Sequence, residues 1–131
     1  MCLFCEIARR EYPAHIVYRD EICTAFLDND PISEGHVLLI PNGHWLDADD
    51  MPEAEFLHLM CVARRLIGAL KEAYSPEGYS IMHNGGVFND VGHFHLHLFP
   101  RNSNDGFGWM YPEGESSADN LIAERIAEYM K

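Results

Sequence analysis

The sequence predicts an α+β fold, an antiparallel sheet with one long helix packed across it. Three observations lead there. Short β-type segments outnumber helical ones, most links between them are brief, and one long stretch has helical periodicity. With 131 residues, the chain suits one domain with one core.

Leu3 to Arg10 reads as a short helix with Leu3, Phe4 and Ile7 on one side, ended by Pro13. Ile16–Tyr18 and Ile22–Leu27 read as two strands around the turn Arg19-Asp20-Glu21. Asp28 to Gly35 is a loop of turn formers. Val37–Ile40 is a buried strand stopped by Pro41. From Pro52 to Tyr74, Phe56, Met60, Ala63, Ile67, Leu70 and Tyr74 recur at spacings of three and four, which is a helix. Asp49 or Asp50 can cap it, and Pro76 with Gly78 ends it. Tyr79–His83 is a strand, followed by the loop Asn84-Gly85-Gly86. Gly92 leads into a histidine-bearing strand, residues 101–117 are a loop, and Ala118–Tyr129 is a closing helix.

Composition excludes several classes of function. A formal net charge of −12 argues against a nucleic-acid polymer as partner, since such footprints are basic. A single nucleotide stays allowed, because local donors or a divalent cation accompanying the nucleotide can hold a phosphate. No apolar run approaches the length of a membrane span. The start, Met1-Cys2-Leu3-Phe4-Cys5-Glu6, lacks the basic and apolar regions of a signal peptide. The expected location is cytoplasmic, where disulfides are rare. Of the four cysteines, Cys23 and Cys61 read as small buried hydrophobes, while Cys2-x-x-Cys5 has metal-ligand or redox spacing.

The run Gly92-His93-Phe94-His95-Leu96-His97-Leu98-Phe99-Pro100-Arg101 carries the chemistry. On a strand, His93, His95 and His97 share one face, with Phe94, Leu96 and Leu98 on the other. Imidazole serves as nucleophile, proton carrier or metal ligand near neutral pH. Same-face neighbours are about 6.6 Å apart and the outer pair about 13 Å, so one ion cannot easily take both outer histidines. Two adjacent ones could share an ion, and at least one histidine remains for another task.

These residues resemble the motif of the histidine triad (HIT) family, His-x-His-x-His followed by two apolar residues. The likeness extends to Phe4-Cys5-Glu6-Ile7, Tyr12 to Tyr18, Ala25-Phe26-Leu27-Asp28 with Pro31, Gly35 to His44, Asn84-Gly85-Gly86 and Pro100-Arg101. It covers about residues 2–101, leaving 102–131 as a C-terminal loop and helix within a single domain over 1–131. The resemblance implies a five-stranded antiparallel sheet that dimerises into a ten-stranded one. It implies nucleotidyl transfer or hydrolysis at a phosphorus carrying a nucleoside, with a purine favoured. It resembles in particular a zinc-containing bacterial branch.

The roles follow from the matched positions. His95 is the expected nucleophile, forming a nucleotidyl-histidine that water releases as a nucleoside monophosphate. The other reading makes His93 and His95 a metal pair. His97 would donate to a non-bridging phosphate oxygen, unless it simply faces solvent. His36 would orient a catalytic histidine, or be a satisfied structural one. Asp28 would accept from ribose hydroxyls, and Phe26, Phe4, Leu3 and Ile7 would wall the base, the last two being equally explicable as core packing. Asn84 is a phosphate contact or an ordinary turn residue.

Asn89 and Asp90 depart from the best-known branch, which carries Gln and then Ser or Thr there. Asn89 can still donate to phosphate. An ionised Asp90 cannot; it would repel phosphate, bind a cation, or protonate a leaving amine if its pKa were raised. Cys2, Cys5, His44 and His93 match the zinc ligands of some bacterial members, a closed tetrahedral site that stabilises rather than catalyses. The alternative is an unmetallated CxxC. His15 is expected at the surface and His58 on the outer side of the long helix, while His83 could approach the site from its strand end, though nothing requires it. The leading expectation is a hydrolase acting on nucleoside phosphoramidates, dinucleoside polyphosphates or adenylylated small molecules. Its rivals are a purine-nucleotide-binding regulatory module and a hydrolase using zinc at His93 and His95.

Overall fold

The computed structural model describes residues 1–114 and 116–130; Glu115, in the expected loop, and Lys131 lie outside the described residues. Helices α1 (Leu3–Ala8), α2 (Glu53–Tyr74) and α3 (Asn120–Ala127) accompany strands β1 (Ile16–Arg19), β2 (Cys23–Leu27), β3 (Val37–Pro41), β4 (Gly78–Met82) and β5 (Leu96–Arg101). A 3₁₀ turn lies at Gly86–Phe88. The five strands form one sheet in the order β1-β2-β3-β5-β4, with every neighbouring pair antiparallel.

Strand periodicity decides what lies on each face. Cys23, Ala25, Val37, Leu39, Leu96 and Leu98 point toward α2 and join Leu59, Val62, Ala63, Leu66 and Leu70 in the larger core. Phe26, Leu38 and Ile40 point the opposite way, onto Phe4 and Ile7 of α1. β3 is covered on both faces and therefore reads as an unbroken apolar run. The inner stripe of α2 is rotated from the expected one. Phe56, Met60 and Ile67 lie at its edge, and Tyr74 is exposed and arches over Gly35. A Cβ on Gly35 would lie 2.6 Å from the Tyr74 ring, at a backbone φ of +91°.

Local departures have local causes. Neither Asp49 nor Asp50 caps α2, which starts after Pro52 with no side-chain cap. The Asp50 carboxylate accepts from the Leu46 and Asp47 backbone N–H groups instead, closing the preceding turn. The α2 C-terminus is a left-handed Ser75 just before Pro76, where a helix cannot continue. The histidine strand starts only at Leu96, so of the three histidines expected on it His97 alone is a strand residue, and His93 and His95 lie in the segment before it. Gly92 turns at φ +74° and the Phe94 N–H bonds to the Trp45 carbonyl at 2.6 Å, so the sheet ladder begins later. Cys61 is exposed rather than buried. α3 is shorter than expected, capped by Asp119 on the Ile122 N–H. Among the described residues, no helix is long and apolar enough to cross a membrane.

Candidate functional site

A cleft of about 220 Å³ opens on the α1 side of the sheet. Its apolar wall comes from α1 and the end of β2, where Phe4 and Phe26 meet edge to face at 5.3 Å. Leu3, Ile7 and Asp28 complete that side, while His95, His97 and Asp90 line the other. Phe4 also meets the His95 ring edge to face at 5.3 Å, so the aromatic wall and the histidines are one packed unit. Tyr12, Pro13, Ala14 and Leu38 line the cleft too. Leu38 was legible in principle, because it alternates with the core-facing Val37 and Leu39.

Hydrogen bonds assign the histidine tautomers, since a backbone N–H only donates and a carbonyl only accepts. His95, 3% exposed, donates from Nδ1 to the His93 carbonyl at 2.8 Å. Its Nε2 therefore keeps a free lone pair. The Ile32 N–H donates to His36 Nδ1 at 3.0 Å, so the His36 proton sits on Nε2. From there it is donated to His97 Nδ1 at 2.9 Å. His97 in turn carries its proton on Nε2. The chain Ile32→His36→His97 thus sets a donor beside the His95 acceptor.

Electrostatics agree with neutral rings. Burial, with His95 and His36 close by, pulls His97 down to about 4, against the opposing pull of Asp28 and Asp90. Burial likewise lowers His36, again opposed by Asp28. One Asp28 oxygen lies 3.6 Å from His36 Nε2 and 3.9 Å from His97 Nδ1. At neutral pH both histidines stay uncharged and the relay keeps its direction. His83 stacks on Phe94 at 4.3 Å and donates from Nδ1 to the His95 carbonyl at 3.3 Å, holding the strand entry.

Two expected phosphate contacts are placed elsewhere. Asn84 is exposed and does not line the cleft. The Asn89 amide is buried. Its Nδ2 donates to the Leu46 carbonyl and its Oδ1 accepts from the Val91 and Gly92 N–H groups. It holds the loop together and does not line the cleft. His15 is exposed. His58, expected outside, meets Asp20 at 2.7 Å. Asp20 also accepts from Tyr18 and from the Ile22 and Cys23 N–H groups. These bonds hold its carboxyl well below the usual range despite burial. Cys23 is pushed up to about 12, chiefly by burial, so this cluster works as a turn lock.

Cys2, Cys5, His44 and His93 converge at the N-terminus of α1, with ligand atoms all within 4.8 Å of one another. Cys5 Sγ lies 3.2 Å from His44 Nδ1 and 3.5 Å from His93 Nδ1, and Cys2 Sγ lies 3.4 Å from His93 Nδ1. A tetrahedral zinc with ordinary Zn–S and Zn–N bonds requires S···N edges of about 3.5 Å. His93 Nε2 donates to the Pro41 carbonyl at 2.9 Å, which leaves Nδ1 as the free donor atom. Burial and the adjacent Cys2 push the Cys5 thiol up, a penalty that a divalent cation would offset. The donor set, spacing and outer hydrogen bond fit a metal ion. Among the described residues, the group of metal-capable side chains that His93 joins holds Cys2, Cys5 and His44 and not His95, the partner of the other reading.

A five-stranded antiparallel sheet with His-x-His-x-His at the entry to β5 defines a histidine triad fold, and sequence comparison agrees. The HIT domain family matches residues 9–104, and the chain belongs to that family. An uncharacterized HIT-like protein of Methanocaldococcus jannaschii is 38% identical over 108 residues, covering 81% of this chain and 83% of that protein. The adenosine 5′-monophosphoramidase of Saccharomyces cerevisiae is 33% identical over 123 residues, covering 92% and 75%. Among solved structures, a HIT family protein from Bacillus anthracis superposes with a TM-score of 0.86 at 36% identity, covering 99% of this chain and 97% of that one. A Zn-bound histidine triad family protein from Mycobacterium smegmatis gives 0.76 at 33% identity, covering 86% and 84%.

Proposed function

We propose that this chain is a nucleotide hydrolase that cleaves at the α-phosphorus of an adenylylated amine or related nucleoside conjugate. The observation that carries the reading is the tautomer chain. It leaves a lone pair on His95 Nε2 and a proton on His97 Nε2, side by side in a cleft walled by Phe4 and Phe26. The likeness to a yeast adenosine 5′-monophosphoramidase supports the substrate class.

His95 Nε2 forms a bond to phosphorus as the bond to the leaving group breaks, its electron pair going to the departing atom, which takes a proton from solvent. His97 donates to a non-bridging oxygen, where negative charge grows. Water then bonds to phosphorus, the pair returns to His95 Nε2, a proton is released, and the nucleoside monophosphate departs. Asp28 accepts from the ribose hydroxyls. His36 positions His97 and does not touch substrate.

Cys2, Cys5, His44 and His93 would hold zinc, which supplies a crosslink between α1 and the histidine segment. The His93 carbonyl orients His95, so that crosslink also supports the nucleophile. A homodimer with a ten-stranded sheet would form through the unpaired edge of β4. The exposed Trp109 and Met110 beside it support this. We place the protein in the cytoplasm, with neither membrane nor nucleic-acid polymer as partner.

The test is mass spectrometry of protein quenched rapidly after mixing with adenosine 5′-phosphoramidate or diadenosine tetraphosphate, alongside AMP release. A gain of one AMP on the parent protein but not on His95→Ala is expected. AMP binding by His95→Ala should persist. Tight AMP binding with no release from either substrate would point to the regulatory binding module instead.

A further inference from the structure

Asp90 is the charged group of the cleft that nucleoside binding leaves without a task. The apolar wall comes chiefly from α1 and β2 and Asp28 directly follows β2, whereas Asp90 comes from the loop before β5 and lies at the histidine end. The loop is not loose there. The buried Asn89 amide grips Leu46 and the next two backbone N–H groups, and Gly92 makes the turn at φ +74°. Asp90 itself is exposed, and among the described residues no hydrogen bond or ion pair engages its carboxylate. Among the described residues no lysine or arginine lines the cleft, while two carboxylates do, Asp28 and Asp90. The charge of Asp90 reaches His97.

We propose that Asp90 selects substrates whose leaving group carries a positive charge close to the phosphorus. The proposal rests on the reading of this cleft as a nucleotidyl-transfer site. A nucleotide seated with its base against Phe4 and Phe26 puts its α-phosphorus at His95, so the group departing from it extends toward Asp90. A polyphosphate leaving group would bring several negative charges to two carboxylates with no side-chain cation to offset them. An amine bearing a second, ammonium-charged nitrogen would pair with Asp90 while the P–N bond breaks. The electron pair of that bond goes to the reacting nitrogen, which takes a proton from solvent and leaves as the free amine. Asp90 touches the leaving group and sets selectivity; it supplies no proton to the reaction.

The experiment compares three adenosine 5′-phosphoramidates with the same P–N bond and nearly equal size: the amides of 1,2-diaminoethane (cationic end), propylamine (neutral) and glycine (anionic). Values of kcat/KM for parent and Asp90→Asn should be measured at low ionic strength and again at high salt. In the parent, the cationic substrate should exceed the neutral one by about fivefold, the size expected of one exposed charge pair, with the anionic one lower still. Asp90→Asn should compress that order, and so should salt. Asp90 is unpaired, so the variant should fold like the parent, as melting temperature would verify. Equal ratios in parent and variant would overturn the proposal while leaving nucleotidyl transfer intact. Failure of all three substrates, with no nucleotidyl adduct, would overturn the hydrolase reading and this proposal with it.

Discussion

Acid should destabilise this protein through His97, by an amount that follows from where the ring sits. Its side chain is 20% exposed, faces two other imidazoles, and is held down at about 4 from the ordinary 6.5. Between those values the unfolded chain binds a proton that the folded protein excludes, so protons favour unfolding. The contribution is fully present above pH 6.5, falls as pH drops, and is spent below pH 4. Each tenfold change in proton affinity is worth about 1.4 kcal/mol. Linkage then gives a loss of about 2 kcal/mol by pH 5 and about 3 kcal/mol by pH 4. Urea unfolding of the parent and of His97→Gln at pH 7.5, 6, 5 and 4 isolates the effect. Protonation of the cysteine and histidine cluster is common to both proteins and cancels in the difference. The parent should lose about 2 kcal/mol more than His97→Gln between pH 7.5 and 5. Parallel curves for the two proteins would refute the neutral, buried His97 on which the relay depends.

Two further outcomes follow from packing and the metal cluster. Cys5→Ala should abolish zinc binding, measured by metal analysis of the purified protein, and lower Tm by about 10 °C, a loss of roughly 3 kcal/mol for a chain of this size. A parent protein without zinc and an unchanged Tm would remove the metal assignment. Phe4→Ala deletes a buried ring that touches Phe26, His93 and His95. It should cost about 3 kcal/mol, the low end for a buried phenylalanine because the ring borders an open cleft. AMP affinity by calorimetry should fall about tenfold, and an unaltered affinity would mean that the base lies elsewhere.

Much of this molecule could be read in one dimension because its periods are short. The unbroken apolar run Val37-Leu38-Leu39-Ile40 and the alternation from Phe94 to Leu98 mark strands, and spacing of three and four marks the long helix. The positions of Cys2, Cys5, His44 and His93 were likewise legible through family resemblance, and they do converge. Residue type alone could not separate Asn89 from Asn84 or Asp50 from other capping acids. A polar side chain reaches whichever backbone groups the turn presents, and those groups are set by tertiary placement. Asn89 therefore locks its own loop, Asp50 closes the turn before α2, and His58, which the helix pattern faced outward, reaches Asp20 from another strand end.

The sequence by itself determined the α+β class, the triad with its apolar backing, and the candidates for nucleophile, nucleoside wall and metal ligands. The first two depend on periodicity and local motif, and the site candidates on resemblance to a known family. Only the tertiary structure decided the direction of the proton chain Ile32→His36→His97 and the attachment of His95 to the His93 carbonyl. It alone set Asp90 at the histidine end of a cleft that, among the described residues, no lysine or arginine lines. Tautomer and charge environment depend on atoms brought together from residues distant in the chain. Their pairing appears only when the sheet has closed and water has been removed from around the rings.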